Sequence, residues 1–210
     1  MLLALITFSF VTSITPGPNN ILLLASGMRF GVRRTLPHIA GIQFGVALQL
    51  ALCGLGFGML LLQVPGVEPG LKVLGTLYLL HLAWKLHRSG LRAEPSADVQ
   101  PFTFWQAAAF QCINPKAWMM AITAGALLKP ELSGAGYLPA NLPLEGWPAT
   151  ALSVAALCIV FSLVGTPSSG SWAVGGALIQ RVLADARREQ WIGHTMVLLT
   201  LATAVMIWAF

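Results

Sequence analysis

The sequence predicts an all-α, polytopic membrane protein with six transmembrane helices, and three observations carry that expectation. Apolar residues make up 56% of the chain and charged ones only 9%, where a soluble domain carries about 25% charged residues. Apolar runs recur at the ~20-residue length a helix needs to cross a bilayer. The basic residues cluster in alternate connections between those runs, as the positive-inside rule describes. Mean hydropathy is +0.75, in keeping with this. A pI of about 9.6 would also suit a nucleic-acid partner. The cations are scattered between apolar runs, however, and no nucleic acid is expected.

The six runs fall at residues 2–28, 37–62, 69–86, 104–128, 148–166 and 191–210. The first has no basic n-region and no small-x-small cleavage site, so a cleaved signal peptide is not expected. Arg29, Arg33 and Arg34 follow the first run, Lys85, Arg88 and Arg92 end or follow the third, and Arg181, Arg187 and Arg188 follow the fifth. Only Lys72 and Lys129 lie in the other connections, which also hold Glu68, Glu131 and Glu145. The cationic side is expected to be cytoplasmic and both termini external.

The first run is interrupted by Thr15, Pro16, Gly17, Pro18, Asn19 and Asn20. Pro16 and Pro18 have no backbone N–H, and their rings clash with the carbonyls of Thr12 and Ile14 in a continued helix. Polar backbone freed at membrane depth is tolerated only where it lines a cavity or is buried in protein. Pro18 suits the first position of a new helix with Gly17 before it. The amides of Asn19, Asn20 and Ile21 are then expected to point into the break, with the carbonyls of residues 12–14 opposite. Donors on one side and carbonyls on the other suit a zwitterion.

In the second run, Gly41-x-x-x-Gly45 reads as close helix packing, and Gln43 and Gln49 read as interhelical hydrogen-bond partners. The third places Tyr78, His81 and Lys85 on one face. His81 is either a candidate for proton coupling or part of an interfacial cluster with Trp84 and His87. Residues 89–101 form a short polar linker. The fourth run carries the second break, Asn114, Pro115 and Lys116. Asn114 is a good N-cap for a half-helix starting at Pro115. Lys116 then sits deep in the membrane, at a cost of about 2.5–3.5 kcal/mol on insertion scales, so it should face a wet cavity or an anion. Residues 129–147, rich in Pro and Gly, read as a loop. After the fifth run, Thr166, Pro167, Ser168, Ser169 and Gly170 are expected to break the chain. The stretch from Trp172 to Arg188 either extends the fifth helix beyond a kink or lies amphipathically at the surface.

Each half has three crossings, so the second lies upside down relative to the first, as in inverted-repeat transporters. The expected organisation is a first repeat at 1–90, a cytoplasmic linker at 91–103 and a second repeat at 104–210, each repeat with a proline-broken first helix. The breaks lie about 16–21 Å along their runs at 1.5 Å per residue, so similar depths are expected. Pro16, Gly17, Pro18, Asn19, Asn20, Asn114, Pro115 and Lys116 are accordingly the candidate substrate-binding residues. Cys53, Cys112 and Cys158 read as small buried hydrophobes, since there is no C-x-x-C pair and no histidine at metal-ligand spacing. No metal, cofactor or catalytic residue is expected, and the chain carries no Walker A sequence.

Thr15, Pro16, Gly17, Pro18, Asn19 and Asn20, followed by Gly27, Gly31 and Gly41-x-x-x-Gly45, resemble the lysine-exporter (LysE-type) superfamily. The likeness is to its threonine/homoserine exporter branch in particular. Leu82, Ala83, Trp84 and Lys85 fit at a matching place, as do Phe104 and Trp105 leading to Asn114, Pro115, Lys116 and Ala117. The resemblance covers the whole chain, and residues 16–21 and 102–110 look most like the cysteine/O-acetylserine exporters. It implies a six-helix protein of the bacterial inner membrane that exports amino acids by antiport, driven by the proton gradient, and is not an enzyme. Its partners would be a small amino-acid substrate and the lipid bilayer, with a homo-oligomer left open. The run 191–210 departs from the pattern, because it lacks the small-residue repeats often found there. The absence of Asp or Glu from all six runs points to a neutral substrate. The alternative is a membrane thiol-disulfide carrier of related six-helix fold, with Cys112 near the second break.

Overall fold

The computed structural model describes residues 2–58, 63–89, 100–128, 147–182 and 186–209. Most of the expected linker and nearly all of the loop at 129–147 lie outside the described residues. The described residues form seven helices and no strand: α1 Leu2–Ile14, α2 Pro18–Gly54, α3 Val67–Ser89, α4 Phe104–Phe110, α5 Pro115–Leu128, α6 Trp147–Val182 and α7 Ala186–Ala209. A 3-10 turn, Gln111–Ile113, joins α4 to α5.

At 37 residues α2 would be about 55 Å long if straight, nearly twice the bilayer core. It folds back instead. Gly31 has φ 74 and ψ 167, a region open essentially to glycine alone. The hydroxyls of Ser26 and Thr35 meet across the turn at 2.9 Å. In a straight helix nine residues would hold them about 13 Å apart. Asn19 and Gln43, each twelve residues from Gly31, line one cavity. The expected first and second runs are therefore two antiparallel arms joined by a single residue.

Proline at 167 does not end α6, and the expected break at 166–170 is corrected: the helix runs through to Val182. Pro167 forfeits only its own bond to the carbonyl of Leu163 and leaves the rest of the ladder in place. This continuous helix makes the most extensive interface of the fold, with α2. A Cβ on Gly27 would lie 2.0 Å from the Ala173 carbonyl oxygen, and one on Gly176 2.1 Å from that of Leu24. The backbones are thus in contact, as small residues permit where lipid supplies no hydrophobic drive between helices. Gly41 does the same for the second arm of α2 against the Phe104 carbonyl of α4, and Gly45 makes room for the side chain of Gln111.

α3 packs on α7 through Leu79, Ala204 and Ile207, and α1 on α6 through the rings of Phe8 and Phe161. Large apolar side chains such as Trp105, Leu163 and Val205 point outward, a surface suited to lipid. The segment 147–180 is long and apolar enough to cross a membrane, whereas 18–54 meets that measure only with its two arms counted together. α1 is too short by itself, because the break cuts the first run after Ile14.

Candidate functional site

At the first break Gly17 caps α2 with extended backbone (φ −167, ψ 176) and no side-chain hydrogen bond. The helical partners of the Thr12 and Ile14 carbonyls would be Pro16 and Pro18, which have no N–H to give. Asn20, buried, donates from Nδ2 to the carbonyls of Ser13 and Thr15, both at 2.8 Å. It stitches the end of α1 to the start of α2. The Ile21 amide donates to the Gly17 carbonyl at 3.0 Å. The expectation that the Ile21 amide points into the break is therefore corrected. The fourth residue after a cap already closes the first helical turn.

At the second break Asn114 is extended (φ −85, ψ 101) and α5 begins at Pro115. The Asn114 carbonyl accepts from the amides of Ala117 and Trp118. Its side-chain oxygen was expected to cap α5 but is buried without a partner, while Nδ2 donates to Gln111 Oε1 at 3.2 Å. Upstream, Thr103 and Gln106 close a reciprocal capping box that fixes where α4 starts.

The two breaks, about a hundred residues apart, meet. Asn19 and Gln111 exchange a pair of amide bonds at 3.0 and 3.1 Å. Gln111 also donates to the Ala107 carbonyl, and its own carbonyl accepts from Gln49 Nε2 at 2.8 Å. Lys116 Nζ donates to the Thr15 carbonyl at 2.7 Å and lies 3.4 Å from that of Pro16. Its charge sits at the negative end of α1, where a cation is favoured. No anion is needed to hold it.

A polar cavity of about 50 Å³ lies at this junction, bounded by Gly17, Pro18, Asn19, Asn20, Asn114 and Lys116, with Gln43 and Ser169 opposite. No Asp or Glu is among the described residues that line it, and none lies in the six apolar runs of the sequence. It is small beside the roughly 300–1,000 Å³ of ordinary small-molecule sites. Pro16 and Pro115 face a separate, more apolar recess of about 110 Å³ with Met119, Thr203 and Ile207, and Lys116 lines both spaces.

His81 is not among these residues. It is exposed on α3 with its ring 6.0 Å from that of Trp84, while His87 faces His194. The Lys85 side chain lies outside the described residues. Sequence reasoning missed Gln111, although a glutamine three positions before an Asn-Pro break in an apolar run was a usable signal. It also missed His38, buried and stacked on Phe102 at 5.0 Å, at the very start of the second run beside Arg33 and Arg34. Gln43 and Gln49 bond across helices as expected, Gln43 to Ser169 at 3.1 Å. Cys53 is buried and Cys158 half-buried, but Cys112 is exposed, on the 3-10 turn beside the inward Gln111. The expectation that all three cysteines are buried is corrected accordingly. All three are free thiols.

Broken helices meeting around a polar cavity inside an apolar bundle define a membrane transporter. The chain matches the LysE type translocator family over residues 10–139 and belongs to that family. It is 29% identical over 208 residues to the cysteine/O-acetylserine efflux protein of Escherichia coli (strain K12), covering 99% of this chain and 97% of that one. The proteins of the same description from Shigella sonnei (strain Ss046) and Escherichia coli O139:H28 match to the same extent. No solved structure matches the chain.

Proposed function

We propose that this protein exports a neutral amino acid or derivative, of the cysteine/O-acetylserine or threonine/homoserine type, across the bacterial inner membrane. It acts as a secondary transporter driven by the proton gradient, and the paired breaks are its substrate site. The observation that carries the reading is Lys116, reaching from one break onto the carbonyls of the other beside an amide-lined cavity. A substrate carboxylate is met there by an ammonium and by the amides of Asn19 and Asn20. A substrate ammonium is met by backbone carbonyls and by the unpartnered Asn114 oxygen. A cationic side chain finds no carboxylate among the described lining residues or in the apolar runs of the sequence. The two breaks belong to repeats of opposite orientation, 1–90 and 104–210, joined by the linker at 91–103. The thiol-disulfide alternative is disfavoured, because Cys112 faces outward and no cysteine lines the cavity.

The test is efflux from dipeptide-loaded cells, with external amino acids measured by mass spectrometry. Neutral amino acids are expected outside and arginine is not; arginine efflux without neutral efflux would overturn the proposal. Asn19→Ala and Lys116→Ala should each abolish efflux at unchanged membrane insertion. Near-normal efflux from both at equal expression would remove the site.

A further inference from the structure

Lys116 already occupies the place an incoming ammonium needs. A carbonyl oxygen offers two lone pairs. That of Thr15 accepts from Asn20 Nδ2 at 2.8 Å and from Lys116 Nζ at 2.7 Å, so both are in use. A ligand ammonium therefore reaches this oxygen only when Lys116 leaves it, and the six apolar runs carry no Asp or Glu to hold it elsewhere. Room for the lysine to lie across the break comes from Gly17. A Cβ there would be 2.9 Å from Lys116 Cδ and 3.0 Å from Nζ. A further acceptor stands close by: Asn114 lines the cavity, and its Oδ1 is buried without a partner.

We infer that Lys116 is a tethered competitor for the ammonium subsite at the first break and, once displaced, the partner of the ligand's carboxylate. It therefore sets specificity. A zwitterion displaces the lysine and then pairs with it. An amine without a carboxylate displaces it and leaves a buried ammonium unpaired. The inference rests on the proposed export of zwitterionic amino acids through this site, and it adds a selection for both charges that a fixed lysine ligand would not give.

The test compares cysteine with cysteamine, its decarboxylated counterpart, by binding titration under reductant on the full chain in lipid nanodiscs. Wild type should bind cysteine and take cysteamine at least about tenfold more weakly, the weight of one charge-assisted hydrogen bond. In Lys116→Met the competitor is gone, so cysteamine should tighten about tenfold while cysteine weakens. A lysine acting only as a carboxylate ligand would weaken cysteine and leave cysteamine unchanged, which overturns the inference. Loss of both by the same factor would do so too. Should Lys116→Met fail to fold, Gly17→Ala serves instead. Its backbone is extended and accepts alanine, and the new methyl crowds the lysine off the carbonyls. It should also tighten cysteamine, and an unchanged ratio overturns the inference. Wild type that binds none of cysteine, O-acetylserine, threonine or homoserine would overturn the export site itself, and the inference with it.

Discussion

Asn19 and Asn20 are neighbours with the same side chain and different tasks. Asn20 is buried and donates from Nδ2 to two carbonyls at the break, those of Ser13 and Thr15. Asn19 pairs with Gln111, whose amide oxygen also accepts from Asn114 and whose nitrogen also donates to Ala107. Removing Asn19 therefore leaves Gln111 with a partner on each atom, whereas removing Asn20 orphans the Ser13 carbonyl. An unmade buried hydrogen bond costs about 1–3 kcal/mol. Asn20→Ala is expected to lower the unfolding midpoint of the detergent-solubilised protein by several degrees relative to Asn19→Ala. Asn19→Ala should fall close to wild type in stability while losing efflux. Equal midpoints for the two variants would show that the stitch across the break is dispensable.

At the scale of elements, the proline breaks were legible to the residue, but the turn at Gly31 only as a connection somewhere between residues 28 and 37, for a covalent reason. Pro16, Pro18 and Pro115 lack an N–H in every context, so the breaks could be placed from the chain alone. Gly31 turns α2 back because both arms are held against α6, and contacts such as Gly27 with Ala173 span some 146 residues. Local sequence carries no mark of them. Gln111 escaped notice likewise, its partner Asn19 being 92 positions away. Pro167 shows the converse, a strong local signal overridden by a helix that loses one bond and keeps its packing. Two substitutions separate turn from packing. Gly31→Ala strains one residue by about 1–3 kcal/mol, so reduced but measurable folded protein is expected. Gly176→Leu drives a side chain into the Leu24 carbonyl, and no monodisperse protein should survive size-exclusion chromatography. Monodisperse Gly176→Leu at wild-type yield would mean that the α2–α6 contact is looser than the 2.1 Å approach requires.

For the whole molecule, the polarity of the site depends on which way the chain enters the membrane, and charge is the available guide. Of twelve cations, nine fall in the connections after the first, third and fifth runs, two in the others, and Lys116 lies at the site. Each cation kept on the cytoplasmic face near an anionic leaflet contributes about 1 kcal/mol. A surplus of seven therefore outweighs any local exception. The fold keeps that arithmetic intact: Gly31 turns α2 beside Arg29, Arg33 and Arg34, so these three share one end of the arms. Alkaline phosphatase fused at Phe210 is expected to be active, as in the periplasm, and inactive when fused near Glu94. A green fluorescent reporter should behave oppositely, glowing at 94 and dark at 210. The reverse pattern at both positions would turn the site to face the other way, placing the Arg29 end of the α2 hairpin outside and the positive-inside assignment in error.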